Sequence, residues 1–302
     1  MKITPITLFT YDRPDHVRKT VEALLQNQQV EAHDLIIYSD AARTPEKQAA
    51  VEQVRTYLLT IKGFHSVTIH LRPHNFGLAK SIIEGVTQVL SEYESVIVLE
   101  DDMITSPYFL SYMNEALDRF EHDERVISVH GYCYPVNQPL PEAFFLRGAD
   151  CWGWATWRRG WALFNPNGQN LLDELERKNL RESFDYNNAY AYSNMLKEQI
   201  NGKNDSWAIR WHASAFLANK LTLYPGRSLV HNIGSDSSGT HCGDDVSHDV
   251  QLSSTHINLS AVEVVPSAIG WTAFEHFFRK NQATFASKLS DSLKKILTKV
   301  IA

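Results

Sequence analysis

Cysteine is scarce in this chain: Cys133, Cys151 and Cys242 are the three in 302 residues, and no C-x-x-C pair occurs. That spacing excludes a disulfide framework and a zinc cluster, and leaves reduced thiols in a cytoplasmic protein as the expectation. An excess of positive charge is also missing. With 29 Lys and Arg against 35 Asp and Glu, the net charge of -6 excludes broad nucleic-acid binding, which needs a basic face. No window approaches the roughly 20 apolar residues that span a bilayer. The opening "MKITPITLFTYDRP" runs straight into a strand without the apolar centre of a signal peptide. Glycine-rich phosphate loops are absent too. No G-x-G-x-x-G follows the first apolar strand, and "NFGLAKS" has a Lys-Ser pair without the glycines of a P-loop. A dinucleotide site or a loop-held triphosphate is therefore not expected, and no internal repeat points to a solenoid.

What is present is a βα rhythm. "PITLFT", "DLIIYSD", "SVTIHLR" and "SVIVLE" read as strands, and helical patterns lie between them, with Val17, Val21 and Leu24 on one stripe and Ile82, Val86, Val89 and Leu90 on another. Such a series predicts an α/β fold with a mixed, mostly parallel sheet flanked by helices. "SVIVLE" is continuously apolar, as a central strand covered on both faces should be. Ligands of such sheets bind beyond the carboxyl ends of the strands. That rule gathers Thr10, Tyr11, Asp12 and Arg13 after the first strand, and Asp40 after the second. It adds Asn75 and Lys80 after the third, and Glu100, Asp101 and Asp102 after the fourth. Three consecutive acids there would repel one another without a cation. Oxygen ligands of this kind suit Mg²⁺ or Mn²⁺, which completes its shell with water and phosphate oxygens and so recruits a diphosphate. The plainer alternative is an acidic turn that caps the next helix.

The organisation expected is a nucleotide-binding half over 1–130, then an aromatic, Gly- and Pro-rich half over 131–283 that elaborates the same domain. A basic amphipathic helix over 284–302 completes it, with Phe285, Leu289, Leu293, Ile296, Leu297 and Val300 on one stripe. This tail either lies in an anionic membrane surface or packs on the domain as a terminal helix. In the second half a polar helical stretch covers Leu171 to Gln199, and a helix capped by Asn204 or Asp205 follows. "LTLYP" and "SLVHN" read as short strands, and "IGSDSSGTHCGDD" as a loop of lid length.

"ITLFTYDRPDHVRKTVEALL", "IIYSDAART", "NFGLAKSI" and "VIVLEDDMITSPYFLSYM", in this order, resemble the nucleotide-binding half of GT-A glycosyltransferases. The resemblance is to family-2-like bacterial enzymes and, through the acidic triplet, to N-acetylglucosaminyltransferase I. It covers roughly the first 130 residues and extends loosely to "WGWATW" and "NDSWAIRW". It implies that Tyr11 and Arg13, next to Thr10, hold the nucleoside and diphosphate, and that Asp40 accepts from the uracil N3–H of a UDP-sugar. Glu100-Asp101-Asp102 matches the D-x-D motif, so Asp102 is the expected metal ligand, with Asp101 near the ribose and Glu100 near the donor sugar. Lys80 either approaches phosphate or starts a helix. "NDSWAIRW" resembles the segment in which an acid ahead of a tryptophan takes the proton of the acceptor hydroxyl, which makes Asp205 the expected base, with a helix cap as its plainer role. Asp236 is a second candidate.

In the same resemblance "RGADCWGWATWRRGW" forms a wall for donor sugar and acceptor, with Trp152, Trp154 and Gly153 against the ligand and Asp150 as a hydrogen-bond partner. Packing in the core is the competing role for at least half of those tryptophans. His231 stands where related enzymes add a histidine to the metal, and His241 is a weaker candidate. The implied activity is a metal-dependent inverting transfer from a nucleotide-sugar to a glycan or lipid-linked saccharide, in bacterial surface polysaccharide synthesis, in the cytoplasm or at the inner face of its membrane. A sugar-phosphate nucleotidyltransferase is the rival enzyme, although "FTYDRPDH" has no glycine for its phosphate loop. A glycan-binding protein without activity is the rival of another class.

Overall fold

The computed structural model describes residues 3–236 and 246–282. The predicted tail over 284–302, His241, Cys242 and most of the predicted lid lie outside the described residues. Among those residues no helix is long and apolar enough to cross a membrane.

The four predicted strands are all present: β1 (Ile6–Thr10), β2 (Asp34–Ser39), β3 (Ser66–Leu71) and β4 (Ser95–Glu100). They alternate with α1 (Pro14–Leu24), α2 (Gln48–Leu58) and α3 (Leu78–Glu92). Pro14 opens α1 with its fixed φ where no backbone donor is needed. After β5 (Met103–Thr105) and α4 (Phe109–Arg119), the chain adds β6 (Val126–His130), β7 (Ala143–Arg147), β8 (Trp154–Trp157), β9 (Leu221–Pro225) and β10 (Val230–Asn232). The main sheet has the order β3-β2-β1-β4-β8-β6-β9-β7. β1 to β4 run parallel, as do β6 and β9, while β8 is antiparallel to both its neighbours and β7 to β9. The second half thus extends the sheet of the first, and β4 is central.

The apolar run of β4 follows from its position. Ile97 and Leu99 face one layer together with Ile6 and Leu8, against Val17 and Val21 of α1 and Met113 of α4. Val96 and Val98 face the other, with Ile82 and Val86 of α3 and Trp154, Trp207 and Trp211. Period-two alternation with both sides covered is what makes a buried strand read as continuously apolar.

Two readings of the second half change, and the strand predicted at "SLVHN" is present. The stretch Leu171–Gln199 is split among helices Gly168–Arg177, Arg181–Phe184 and Tyr192–Ile200. Ser206, not Asn204 or Asp205, caps helix Trp207–Leu217, its hydroxyl accepting from Ile209 N at 3.2 Å. "SLVHN" supplies β10, which pairs with β5 outside the main sheet.

Candidate active site

The carboxyl ends of β1, β2 and β4 gather most of the predicted first-half residues. Arg13 sits at the start of α1, and its guanidinium Nη2 bridges the two aspartates, contacting Asp101 Oδ1 and lying 2.8 Å from Asp102 Oδ2. Asp101 Oδ2 also accepts from Tyr11 N at 3.2 Å, and Thr20 Oγ1 donates to the Asp101 carbonyl at 2.9 Å. The positive charge that the triplet requires is thus supplied from within the chain. Burial works against the Arg13 guanidinium's charge, but Asp101 and Asp102 beside it raise its pKa and hold it cationic. Burial, then the neighbouring acids, push the Glu100 carboxyl above the usual carboxylate range. Asp101 is also raised, chiefly by burial, with Arg13 pulling the other way.

One acceptor in this cluster is left over. Asp102 is 7% exposed, and its Oδ1 is buried without a hydrogen-bond partner. A Cβ on Gly234 would strike Asp102 Oδ2, so only glycine lets the segment after β10 close over the acid. That segment is fastened by Ile233 N donating to the Asp102 carbonyl at 2.9 Å, and by an ion pair of 3.2 Å between His16 and Asp236. A hard, buried, unpartnered carboxylate oxygen at a strand end fits Mg²⁺ or Mn²⁺ bound through one direct protein ligand. Among the described residues there is no cluster of three His, Cys, Asp or Glu that would form a cage of protein ligands. His231 does not join Asp102: its Nδ1 lies 3.2 Å from the Val250 carbonyl, and its Nε2 faces Asp249 at 4.0 Å.

Other predicted residues take up different roles. The Asp40 carboxylate accepts from Ala41 N, Asn75 Nδ2, Phe76 N and Gly77 N at 2.8–3.1 Å. About four lone-pair sites are available on a carboxylate, so Asp40 is engaged by the turn that leads into α3 instead of facing a base. Gly77, at φ +73, supplies the left-handed residue of that turn. Thr10 is buried, its Oγ1 unpartnered and its carbonyl accepting from Asp40 N. Lys80 lies on the surface of α3, with its ammonium 4.3 Å above the Phe76 ring and 3.7 Å from Glu84.

In the aromatic half, two predicted ligand contacts are packing. Trp154 is 1% exposed and its ring centre lies 5.3 Å from Trp207 and 5.8 Å from both Trp161 and Trp211. Gly153, at φ +61, sits where a Cβ would come within 2.6 Å of Val230 Cγ2. Its missing side chain serves backbone packing against β10, not ligand approach. Trp152 is half-buried, its ring edge-on to Tyr132 at 4.7 Å.

Asp205 is at the surface, one residue before the Ser206 cap, with Arg210 Nη2 3.3 Å from its Oδ1. The tryptophan stack brings this helix start to the ligand edge: Trp207 packs on Trp154, which lies opposite Val98 in the sheet, two residues before Glu100. A cavity of about 560 Å³ lies between helices Gly168–Arg177 and Trp207–Leu217 and contains no predicted site residue.

Sequence reasoning did not select His130 or His212. Both are buried, and burial holds each ring below the usual histidine range. His130 ends β6 in "VISVHGY", and the only available signal was a polar residue closing an apolar strand.

Residues 1–140 match the model described as the GNT-I family, so the similarity to N-acetylglucosaminyltransferase I covers just under half of the chain. No curated protein matches the chain at a significant level. Among solved structures, S. aureus TarS 1-349 gives a TM-score of 0.35 at 9% identity, over 53% of this chain and 48% of that one. TarS 1-349 in complex with UDP gives 0.31 at 11% identity, over 46% and 38%. Mannose-1-phosphate geranyltransferase from Thermus thermophilus gives 0.35 at 13% identity, over 74% of each chain. The chain covers about half the length of the first of these.

Proposed function

We propose that this protein transfers a sugar, with inversion, from a nucleoside diphosphate sugar to a hydroxyl of a glycan or lipid-linked saccharide, and that UDP is the nucleotide. The observation that carries the reading is Asp102: a buried carboxylate oxygen without a partner at the carboxyl end of the central strand, beside an arginine able to bind phosphate. A divalent ion on Asp102 supplies charge to offset that developing on the leaving diphosphate. The chain's own groups do the rest. Arg13 neutralises the two aspartates, and it is the cation that would meet a diphosphate there. Tyr11 lines the β1 side of that edge, its hydroxyl accepting from Arg43 N at 3.0 Å. Glu100, on the Val96 and Val98 face of β4, is directed to the donor sugar. Asp205 takes the acceptor's proton as its oxygen attacks.

The surface-polysaccharide role and peripheral attachment at the inner membrane face are parts of this reading that rest on the resemblance and on the composition of the tail. Calorimetry with UDP, GDP and their sugars, with and without Mn²⁺, tests the reading. Binding of a UDP-sugar that depends on Mn²⁺ supports it. Binding of a nucleoside triphosphate and a sugar phosphate, but of no nucleoside diphosphate sugar, sinks it.

A further inference from the structure

Arg13 is held to the acids through a single nitrogen. Its Nη2 meets Asp101 Oδ1 and stands 2.8 Å from Asp102 Oδ2, and among the described residues these are its only side-chain hydrogen bonds. A guanidinium locked onto one carboxylate presents two parallel donors to it. Here that fork is unused, so Nε and Nη1 are left for a second anion.

The two oxygens of Asp102 are in different situations. Oδ2 carries Arg13 and lies under Gly234, where a Cβ would strike it and come within 3.1 Å of Arg13 Nη1. That side has no room for a third group. Oδ1 is buried without a partner, on a side chain that is 9% exposed. A metal ion held by Asp102 and the guanidinium of Arg13 would therefore be two cations on one carboxylate. Arginine cannot relieve the conflict by losing its proton. Asp101 and Asp102 bring two negative charges against the single positive charge of Arg13, so a divalent ion overshoots the balance by one. In a buried site such an excess is costly, because little water screens it. A diphosphate supplies the missing negative charge and can accept from the free nitrogens of the guanidinium.

We propose that Arg13 is a built-in competitor of the metal ion: it holds Asp102 and weakens binding of the ion alone, and a diphosphate draws it off, so that ion and diphosphate bind cooperatively. The competition rests on the Arg13–Asp102 geometry, and the transferase reading enters only in making the diphosphate that of a nucleotide-sugar. Because linkage is reciprocal, the factor by which the diphosphate tightens the ion equals the factor by which the ion tightens the diphosphate.

The test measures Mn²⁺ binding by calorimetry, alone and with pyrophosphate or UDP, after correction for the complexes these form with Mn²⁺ in solution. It compares wild type with Arg13→Met, which keeps the length without the charge, and Arg13→Lys, which keeps the charge. Loss of the like charge predicts that Arg13→Met binds Mn²⁺ alone about tenfold tighter or more, with pyrophosphate bound more weakly and the coupling between the two reduced. Arg13→Lys should return Mn²⁺ affinity toward that of wild type. Melting with and without Mn²⁺ gives a second readout, the ion raising the melting temperature of Arg13→Met more than that of wild type. Mn²⁺ binding to folded Arg13→Met that is no tighter than to wild type overturns the proposal. So does a wild type that binds Mn²⁺ equally with and without pyrophosphate, whether or not the variants fold. Mn²⁺-dependent UDP binding that is the same in wild type and Arg13→Met overturns the competition and keeps the transferase reading. Tighter Mn²⁺ in Arg13→Met and coupling to pyrophosphate, without binding of UDP, GDP or their sugars, keeps the competition and removes the transferase reading.

Discussion

Asp102 and Asp150 are both carboxylates just beyond the buried sheet, yet they are provided for in opposite ways. Asp102 has a guanidinium at 2.8 Å and a glycine closing over it, so its charge is compensated from within the chain. Among the described residues Asp150 meets no Lys or Arg, only the His130 ring at 4.0 Å and the Tyr134 hydroxyl at 3.4 Å. The first arrangement suits exchange of one cation for another and recognition of phosphate. The second suits ligands without charge, recognised through hydroxyls and apolar ring faces. The contrast also divides the fold: Asp102 belongs to the parallel half, and Asp150 to the part where β8, β6, β9 and β7 interleave.

The largest expected effect comes from removing the orphan ligand. Asp102→Ala should abolish Mn²⁺-dependent binding of UDP in calorimetry, and retained binding would break the charged side of the comparison. Asp205→Asn should leave UDP affinity unchanged and reduce turnover by about 10²–10⁴-fold, the usual range for loss of a general base. Near-native turnover would return Asp205 to the role of surface partner for Arg210. Trp154→Ala should cost about 3–5 kcal/mol of stability in denaturant unfolding, because it empties the centre of a tryptophan stack. A loss below about 1 kcal/mol would mean that Trp154 is not core.

The smallest effect is a pH dependence. His33 is fully buried and fully paired, Nδ1–H donating to the Thr4 carbonyl at 2.7 Å and Nε2 accepting from Asn114 at 3.1 Å. Burial lowers its pKa, so the unfolded chain binds more protons than the native one and stability rises with pH. The contribution is complete above about pH 6.5, the unfolded value, and is lost as pH falls toward the lowered native one. The melting temperature should fall between pH 7.5 and 5.5, and less steeply in His33→Asn. An equal slope in both would assign the effect to other groups, His130 and His212 among them.

Much of the first half was legible because its signals are local. Each parallel strand is written as an apolar run, and the rule that ligands meet the carboxyl ends converted four strand ends into one edge. Arg13 and Asp102 were placed on one edge that way, and the structure brings them to 2.8 Å. Asp40 was on that edge too, but its partners are backbone donors of residues 75–77, which no side-chain pattern announces. The second half was harder to read for the same kind of reason. β7 and β8 are short strands inside "AFFLRGADCWGWATW", where an antiparallel insertion between β4 and β6 leaves no βα period. Gly153 resembled a point of ligand approach and is a point of contact with Val230, 77 residues later in sequence. The histidines near Asp150 stand out only through which of their nitrogens lacks a partner, which depends on tertiary geometry.

The pairing of β5 with β10 also bears on the order in which the molecule comes together. It ties residue 102 to residue 233 through the backbone, a contact across about 130 positions of chain. During synthesis the acids leave the ribosome well before the strand that closes over them, so the parallel core can assemble while the edge at Asp102 is still open. Closing so long a loop carries an entropic cost that the contacts must first overcome. The edge around Asp102 is therefore expected to be among the last parts of the nascent protein to mature.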